Sequence, residues 1–162
     1  MTSVNVQQNE SGSAVDVITR DDVVDVIGRY ADCLDRRDFA ALQELFTEDL
    51  VAEYAGGDPV TGRDGIVGFV QRVALADLTQ HFLVPNVVEC DGSDASVSFH
   101  GVAVAVTGER AVVRGLTYTA QLVATPDGAQ IRGIQQQALW STEMDVKQNP
   151  GALFAGGAPK QA

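Results

Sequence analysis

Three aspartates lie within seven residues, in the stretch RYADCLDRRDFAALQELF at positions 29–46. Asp32 precedes Arg36 by four residues, so an exposed ion pair on one helix accounts for it. Asp38 stands where a second helix would begin, and an aspartate there caps free backbone N–H groups. Asp35 has no cation three or four residues away, and it lies near a helix C-terminus, where the helix dipole disfavours a carboxylate. The sequence therefore predicts that Asp35 has a partner from elsewhere in the fold.

His81 is the candidate partner, and an Asp-His pair would act as a general base. The carboxylate orients the imidazole and stabilises the imidazolium that forms when the ring takes a proton. Under an apolar roof, such a pair suits proton abstraction from a carbon acid. Helical periodicity places Asp35 about 140° from Tyr30, at the edge of the apolar stripe. Two plainer interpretations stay open: Asp35 as a surface acid beside Arg36 and Arg37, and His81 as a structural histidine.

Three helices and a short strand are predicted to position these side chains. Thr19 and Asp22 resemble a capping box at the start of the first helix. The apolar stripe of that helix consists of Val23, Ile27, Tyr30 and Leu34. The second helix follows Asp38, with a stripe of Phe39, Leu42, Leu45 and Phe46. A strand is predicted at residues 50–54, and the third helix at residues 63–76.

Four antiparallel strands are predicted from Thr79 onward, because apolar and β-branched runs alternate there with turn sequences. The three turns are Asp91-Gly92-Ser93-Asp94, Thr107-Gly108-Glu109-Arg110 and Thr125-Pro126-Asp127-Gly128. Helices followed by an antiparallel meander predict an α+β domain in which the helices cover one face of the sheet.

A simple register follows if each turn has a two-residue loop. Residues then pair when their numbers sum to 185, 217 and 253 across the first, second and third turns. This register predicts that His81, Val104, Val113 and Trp140 form one row on one face. It places His100 about 13 Å from His81 along the same face, too far for both to bind one metal ion. We therefore expect no metal site.

The composition excludes several classes of partner. The 162 residues carry 22 acidic and 11 basic side chains, a net charge of −11, so nucleic acid is not expected as a ligand. No apolar run is long enough to cross a bilayer, and no basic, apolar leader opens the chain. Two cysteines without paired spacing are typical of reduced thiols in the cytoplasm. We expect a cytoplasmic protein with a disordered tail at 1–18, one domain at 19–143 and a flexible tail at 144–162.

The motifs follow one another in an order that is specific when taken together. The motifs span residues 19–143. They are a helix with Tyr30 and Asp35, a DFxxLxxLF helix start, a strand ending in Tyr54, a GRDGI helix start, and TQHF at the start of a meander that ends near a Trp. In this order they resemble the SnoaL-like branch of the NTF2-like superfamily, nearest the scytalone dehydratase, hexachlorocyclohexane dehydrochlorinase and bile acid 7α-dehydratase branch. The resemblance implies an α+β cone in which N-terminal helices pack on a strongly curved antiparallel sheet and enclose a pocket.

The resemblance also implies roles for individual residues. Asp35 and His81 match the catalytic pair, and Tyr30 matches a catalytic-site tyrosine one helical turn before the aspartate. Tyr54 matches a tyrosine that positions a water or a carbonyl oxygen, and Gln121 matches an asparagine that contacts ligand. Two of those enzymes carry a second acid-base side chain on the strand after the histidine, but the matching stretch here is GVAVAV.

We expect a pocket lined by side chains that a plain core would also use. The predicted substrate-binding residues are Tyr54, Phe69, Leu83, Val102, Val104, Val113, Gln121 and Trp140. No glycine-rich phosphate loop follows a strand, so no cofactor is expected. Apolar residues on both faces of the strand at 101–106 leave a surface to cover, which predicts a homo-oligomer, either a dimer or a trimer.

The favoured function is a cofactor-independent lyase or isomerase, of dehydratase or cyclase type. Its substrate would be a small apolar or polycyclic molecule, such as a secondary metabolite or a xenobiotic. Two alternatives stay open. One is a non-catalytic module of the same fold that binds a ligand or forms oligomers. The other is an epoxide hydrolase of the limonene-epoxide hydrolase type, which needs an Asp-Arg-Asp arrangement; the predicted register puts neither Arg114 nor Arg132 between two strand carboxylates.

Overall fold

The computed structural model describes residues 6–8 and 14–147 of the chain. The predicted tails, at 1–18 and 144–162, lie largely outside these residues. Within them, Val6–Gln8 (β1) pairs antiparallel with Ala14–Asp16 (β2). None of the described helices is long and apolar enough to span a membrane.

The first helix, α1, runs over Arg20–Arg36 and begins with the predicted capping box. The Asp22 backbone N–H donates to the Thr19 hydroxyl, and the Asp22 carboxylate accepts from the Thr19 backbone N–H at 2.9 Å. Arg37 ends the helix in the left-handed conformation, with φ 56°. The buried face consists of Val23, Val26, Ile27, Tyr30 and Cys33. Three of the four predicted stripe residues, Val23, Ile27 and Tyr30, are thus buried, whereas Leu34 is only partly buried against the core.

Two shorter helices complete the helical layer. Helix α2 covers Phe39–Glu44, and the Asp38 carboxylate accepts a hydrogen bond from the Ala41 N–H at 3.0 Å, which confirms the predicted cap. Helix α3 covers Arg63–Val73 and ends three residues before the predicted boundary. Its buried side chains include Ile66 and Val70.

Six strands form the main sheet, in the order β4-β3-β8-β7-β6-β5. Their bounds are Phe46–Tyr54 (β3), Val60–Thr61 (β4), Leu78–Asp91 (β5), Asp94–Thr107 (β6), Arg110–Thr125 (β7) and Gly128–Asp145 (β8). The last four strands form the predicted antiparallel meander with two-residue turns. Strand β3 starts four residues earlier than predicted and pairs with β8 in parallel, so the sheet is mixed. The helices and the curved sheet give the predicted α+β fold.

The sheet has two chemically different faces. The helices cover the inner face, where alternate strand residues join the core. Buried residues of the inner face include Val97, Phe99, Leu116, Tyr118, Ala120, Leu122 and Ile134. The opposite face, called the outer face here, includes the row Glu89-Ser96-Gln121-Gly133 and five further cross-strand rows over β5 to β8. The five further rows are Val87-Ser98-Thr119-Gln135, Val84-His100-Thr117-Gln137, Phe82-Val102-Gly115-Trp140, Gln80-Val104-Val113-Thr142 and Leu78-Val106-Ala111-Met144.

The predicted register holds across the second turn and fails along the first hairpin. Residues of β6 and β7 sum to 217 along their whole length. Residues of β5 and β6 sum to 185 near their turn, but a bulge at Asn86 shifts the rest by one. His81 therefore pairs with Ala103 rather than Val104. Successive side chains of a strand point to opposite faces. A one-residue bulge therefore places every side chain beyond it, counted from the turn, on the face opposite to the predicted one.

The third hairpin departs from its predicted register at two further bulges. The extra residues on β8 are Arg132 and Leu139. As a result, Trp140 pairs with Gly115 rather than Val113. The predicted row that joined His81 to Trp140 is therefore wrong, since the two side chains lie on opposite faces of the sheet.

Candidate active site

The structure brings Asp35 and His81 together between α1 and β5. His81 Nδ1 lies 2.6 Å from Asp35 Oδ1, and the His81 backbone N–H donates to Asp35 Oδ2 at 2.8 Å. The side chains are 18% and 24% exposed, so the pair is largely buried but reachable. A carboxylate only accepts hydrogen bonds, which makes Nδ1 the donor and leaves Nε2 as the basic nitrogen. No described residue forms a hydrogen bond with Nε2.

Local features of the chain explain why these two residues meet. Asp35 lies in the last turn of α1, where the dipole disfavours a carboxylate, and the two N–H donors of His81 compensate for it. The bulge at Asn86 turns His81 toward the helices. The neighbouring aspartates have the predicted local roles: Asp32 forms an exposed pair with Arg36 at 3.7 Å, and Asp38 caps α2.

A pair of tyrosine hydroxyls lies on the same side of the sheet. Tyr30 of α1 and Tyr54 at the end of β3 are joined by a hydrogen bond of 2.9 Å between their hydroxyl oxygens. Burial raises the pKa of Tyr30 well above its usual value, and the neighbouring Tyr54 adds to this. Burial also raises the pKa of Tyr54, and the hydrogen bond with Tyr30 partly offsets this rise. Both phenols are therefore neutral near pH 7, and one proton of the pair stays available to a further acceptor.

Sequence reasoning missed a third tyrosine, Tyr118. It follows Phe99 in one row of the inner face, which continues to Gln136 and Tyr54. Tyr118 stacks on Phe99 with ring centroids 4.5 Å apart. Burial and the nearby Tyr30 raise the Tyr118 pKa, and a hydrogen bond with the Gln136 side chain partly offsets this. A tyrosine among the alternating apolar residues of β7 could have indicated this residue, because a buried hydroxyl group needs a hydrogen-bond partner.

Two of the predicted pocket residues lie beside these groups. Phe69 of α3 stacks on Tyr54, with centroids 5.2 Å apart and an interplanar angle of 20°. Leu83 of β5 lies over Gly101, where an added Cβ would collide with the Leu83 side chain and lie 3.7 Å from the Tyr118 ring. Leu83 thus forms an apolar wall between His81 and Tyr118.

The other five predicted pocket residues lie on the far side of the sheet. Val102, Val104, Val113, Gln121 and Trp140 share one face as predicted, but the single bulge on β5 turns His81 to the opposite face, so all five point to the outer side. Trp140 is 52% exposed and its ring covers Gly115. The prediction that these five line a pocket with His81 is corrected accordingly.

The second histidine and the two candidate arginines also lie apart from the pair. His100 is exposed on the outer face, so the two histidines cannot bind one metal ion. Arg114 lies in the cross-strand row of His81, but its neighbours in that row are Ala103 and Ser141. Arg132 forms an exposed pair with Asp94 at 3.0 Å. Among the described residues, neither arginine lies between two carboxylates, as the epoxide hydrolase alternative requires.

Two surface grooves are distinct from this site. One, of about 260 Å³, is lined by Val51, Glu53, Thr119, Ala120, Gln121, Gly133, Ile134 and Gln135. The other, of about 230 Å³, is lined by Glu89, Cys90, Asp91, Asp94, Ala95, Ser96 and Gln121. Neither includes Asp35, His81 or a tyrosine. The candidate site is therefore defined by the bonded polar groups between the helices and the inner face.

Helices on one face of a curved mixed sheet are the arrangement of an NTF2-like protein. The chain belongs to the SnoaL-like domain family, whose family model matches residues 16–134. No curated protein matches the sequence.

Solved structures show the same fold. A scytalone dehydratase-type protein from Novosphingobium aromaticivorans is 18% identical with a TM-score of 0.71, over 78% of this chain and 88% of that one. A protein from the same organism named as an aromatic ring hydroxylase is 25% identical with a TM-score of 0.70, over 77% and 92%. The LinA-type3 hexachlorocyclohexane dehydrochlorinase of Novosphingobium barchaimii is 14% identical with a TM-score of 0.69, over 77% and 89%. The relatives thus include dehydratase-like and dehydrochlorinase structures, whose different chemistries share one scaffold.

Proposed function

We propose that the protein is a cofactor-independent lyase or isomerase that removes a proton from a carbon next to a carbonyl group. The observation that carries the proposal is the free Nε2 of His81, a ring whose other nitrogen is held by Asp35 at 2.6 Å. This arrangement combines a base with the group that orients it. The dehydratase and dehydrochlorinase structures of the same fold support an elimination or an isomerisation.

In the proposed first step, His81 Nε2 takes the proton and Asp35 stabilises the imidazolium. The electrons of the C–H bond move to the carbonyl oxygen, giving an enolate. A phenol of the Tyr30–Tyr54 pair donates a hydrogen bond to that oxygen. General-base help contributes typically about 10² to 10⁴ in rate, and a positioned donor about 10² to 10³. Loss of a group from the next carbon completes an elimination, whereas return of the proton elsewhere completes an isomerisation.

The spacing of the polar groups supports a small ring system as substrate. Tyr30 and Asp35 are five residues apart on α1, so their backbone positions are separated by about 7.5 Å along the helix axis. We infer from this separation of the two anchoring positions a substrate of one or two fused rings. Leu83 packs against the core and Phe69 stacks on Tyr54, so both add apolar surface beside the polar groups. The neutral phenols favour an uncharged carbonyl compound over a carboxylate or phosphate.

The tautomer of His81 tests the pair without any substrate. Two-dimensional NMR on the neutral rings distinguishes a protonated Nδ1 from a protonated Nε2. We expect His81 to carry its proton on Nδ1, and the Asp35→Ala variant to lose this preference. His100 is the internal control, and Asp32→Ala, which removes only an exposed carboxylate, is the matched variant. If His81 keeps its tautomer in Asp35→Ala, the orienting role of Asp35 is wrong.

Hydrogen exchange in D₂O tests the chemistry itself. The bicyclic ketone α-tetralone has an acidic C–H next to its carbonyl, and the wild-type protein should accelerate deuterium incorporation at that carbon. The alternative of a ligand-binding module makes the opposite prediction: α-tetralone and related cyclic ketones would bind, shifting the His81 resonances, with no increase in exchange.

A further inference from the structure

Arg37 has a backbone conformation that is unfavourable for a residue with a side chain. It ends α1 with φ 56° and ψ 34°, in the left-handed region. Glycine is the usual residue at such a helix end, because a Cβ is disfavoured there. Of the seven described residues with positive φ, five are glycines, and the other two are Arg37 and Ala55. An arginine at this position is explained if its side chain makes a contact that glycine cannot make.

The guanidinium group of Arg37 makes such a contact. Its Nη2 donates a hydrogen bond to the backbone carbonyl of Ala76. Arg37 lies two residues after Asp35, and Ala76 lies two residues before β5 and five before His81. The hydrogen bond therefore joins the chain next to Asp35 to the chain that leads into His81.

The end of α1 thus bonds to β5 and to the loop that leads into it. Strand β5 is the last strand in the sheet order, so the His81 N–H that meets Asp35 has no strand partner. Asp35 accepts from this N–H at 2.8 Å, whereas Arg37 donates to the Ala76 carbonyl. Two contacts at different points along the chain fix the orientation of the helix end, which one contact would leave free to turn.

The loop that contains Ala76 is itself held in place. The Asp77 N–H donates to the Val106 carbonyl at 2.8 Å. The Asp77 carboxylate accepts from the Gly108 N–H at 2.7 Å, at the turn between β6 and β7. The Ala76 carbonyl therefore lies in an anchored segment, and the guanidinium bound to it limits the movement of the helix end.

We propose that Arg37 is a positioning residue for the Asp35–His81 pair. By joining the end of α1 to the start of β5, it keeps the Asp35 carboxylate within reach of both N–H groups of His81. The neighbouring Arg36 offers a contrast, since its exposed pair with Asp32 at 3.7 Å lies within one helix and cannot set a distance between two elements. The effect of Arg37 on the pair is independent of the reaction, whereas its effect on rate rests on the proposed function.

Amide hydrogen exchange measured by NMR tests the effect on the pair without a substrate. The His81 N–H is protected by Asp35, so its exchange rate reports local opening of the pair. Arg37→Gly removes the guanidinium and supplies the residue that the left-handed backbone favours. It should raise the His81 exchange rate about tenfold or more. The amide of Tyr118, in a strand between two others, reports global unfolding and should stay within about twofold of wild type.

Two further variants separate the hydrogen bond from the stability of the fold. Arg37→Ala also removes the bond but keeps a Cβ in the left-handed conformation, so it should melt at a lower temperature than Arg37→Gly and raise His81 exchange by the same factor. Arg36→Ala is the matched control and should leave His81 unchanged. Equal His81 exchange in Arg37→Gly and Arg36→Ala would overturn the proposal. Parallel rises at His81 and Tyr118 would also overturn it, because Arg37 would then stabilise only the fold as a whole.

Deuterium exchange into α-tetralone tests the effect on rate. Arg37→Gly should lower kcat about tenfold and leave KM within about twofold, because the base is misplaced while the binding surface is intact. Equal kcat in wild type and Arg37→Gly would contradict the positioning role and leave the proposed function standing. A wild type that does not accelerate the exchange would contradict the proposed function, and the amide measurement at His81 would still decide the role of Arg37.

Discussion

The inner and outer faces belong to the same strands but differ in whether their polar side chains are buried and hydrogen-bonded or exposed. On the inner face, hydrogen bonds join Tyr30 to Tyr54 and His81 to Asp35. On the outer face, glutamines, threonines and His100 lie exposed among apolar side chains. A buried polar group without a partner costs about 1 to 3 kcal/mol, so the polar residues of the inner face need a reason to be there.

The two faces therefore differ in the chemistry that their side chains can support. The inner face places a few bonded groups around one base, which suits catalysis. The outer face carries exposed apolar side chains among glutamines and threonines, and Gln135 donates a hydrogen bond to Glu53 at its border. Each face contains a histidine, a phenylalanine and a glycine that lies beneath a large side chain. Matched substitutions at these residues can therefore test how the two faces differ.

The histidines give the largest expected contrast. His81→Ala should lower the rate of deuterium exchange into α-tetralone by about 10² to 10⁴, because it removes the base. His100→Ala should leave the rate within about twofold, since that ring is on the other side of the sheet. Rates are measured by NMR on folded proteins at equal concentration. Comparable losses in both variants would contradict the assignment of the site to the inner face.

The phenylalanines compare the stability contributions of the two faces. Phe99 is fully buried against Tyr118, so Phe99→Ala should lower the free energy of unfolding by about 3 to 5 kcal/mol. Phe82 is 58% exposed, and Phe82→Ala should change it by about 0.5 kcal/mol or less in the dilute monomer. Urea denaturation at low protein concentration measures both. A similar loss in both variants would show that Phe82 is buried within the monomer.

The tyrosines predict how stability depends on pH. All three tyrosines of the chain are on the inner side with raised pKa values, whereas the unfolded chain ionises near pH 10. Ionisation of the phenols therefore favours the unfolded state. The free energy of unfolding keeps the full contribution of the neutral phenols below about pH 9, and above pH 10 it falls by about 1.4 kcal/mol per pH unit for each phenol. Phenolate absorbance should rise only together with loss of circular dichroism. Ionisation at pH 10 in the folded protein would contradict the burial of the cluster.

The glycines give the smallest contrast. Gly101→Ala should cost about 1 to 3 kcal/mol, because the new methyl group meets Leu83 inside the protein. Gly115→Ala meets Trp140 in the same way, but that ring is half exposed and can turn into solvent, so we expect a change below about 0.5 kcal/mol in the monomer. Thermal denaturation at low concentration measures the two, and a reversed order would contradict the packing of Leu83.

Much of the fold could be predicted because its signals are local. The capping box at Thr19, the cap at Asp38 and the three glycine-containing turns each depend on a few adjacent residues. The parallel pairing of β3 with β8 was not predicted, since it joins segments about 80 residues apart and has no turn to mark it. The pairing of Asp35 with His81 could be predicted from the sequence, because a carboxylate without a cation nearby on its own helix needs a hydrogen-bond donor from elsewhere in the chain.

The pocket lining was predicted less well because it depends on which way each strand residue points. A register counted from a turn stays correct only until the first bulge, and Asn86, Arg132 and Leu139 each add one residue. Pro85 was a usable signal, since proline in a strand often accompanies a bulge. Tyr118 and Gln136 were missed for the same reason: their row is visible only once the shifts on β8 are known.

The bulge at Asn86 also makes the orientation of His81 depend on where the length of β5 changes. Asn86 is the extra residue between the pairs Pro85–Phe99 and Val87–Ser98, so its deletion leaves His81 opposite Ala103 on the inner face. Deletion of Val84 with the bulge kept would instead bring His81 opposite Val102 and turn it outward, while Phe82 would oppose Gly101 and turn inward. Two variants of equal length would thus present either a base or a phenylalanine to the helices, and the tautomer of His81 in each would report which face it occupies.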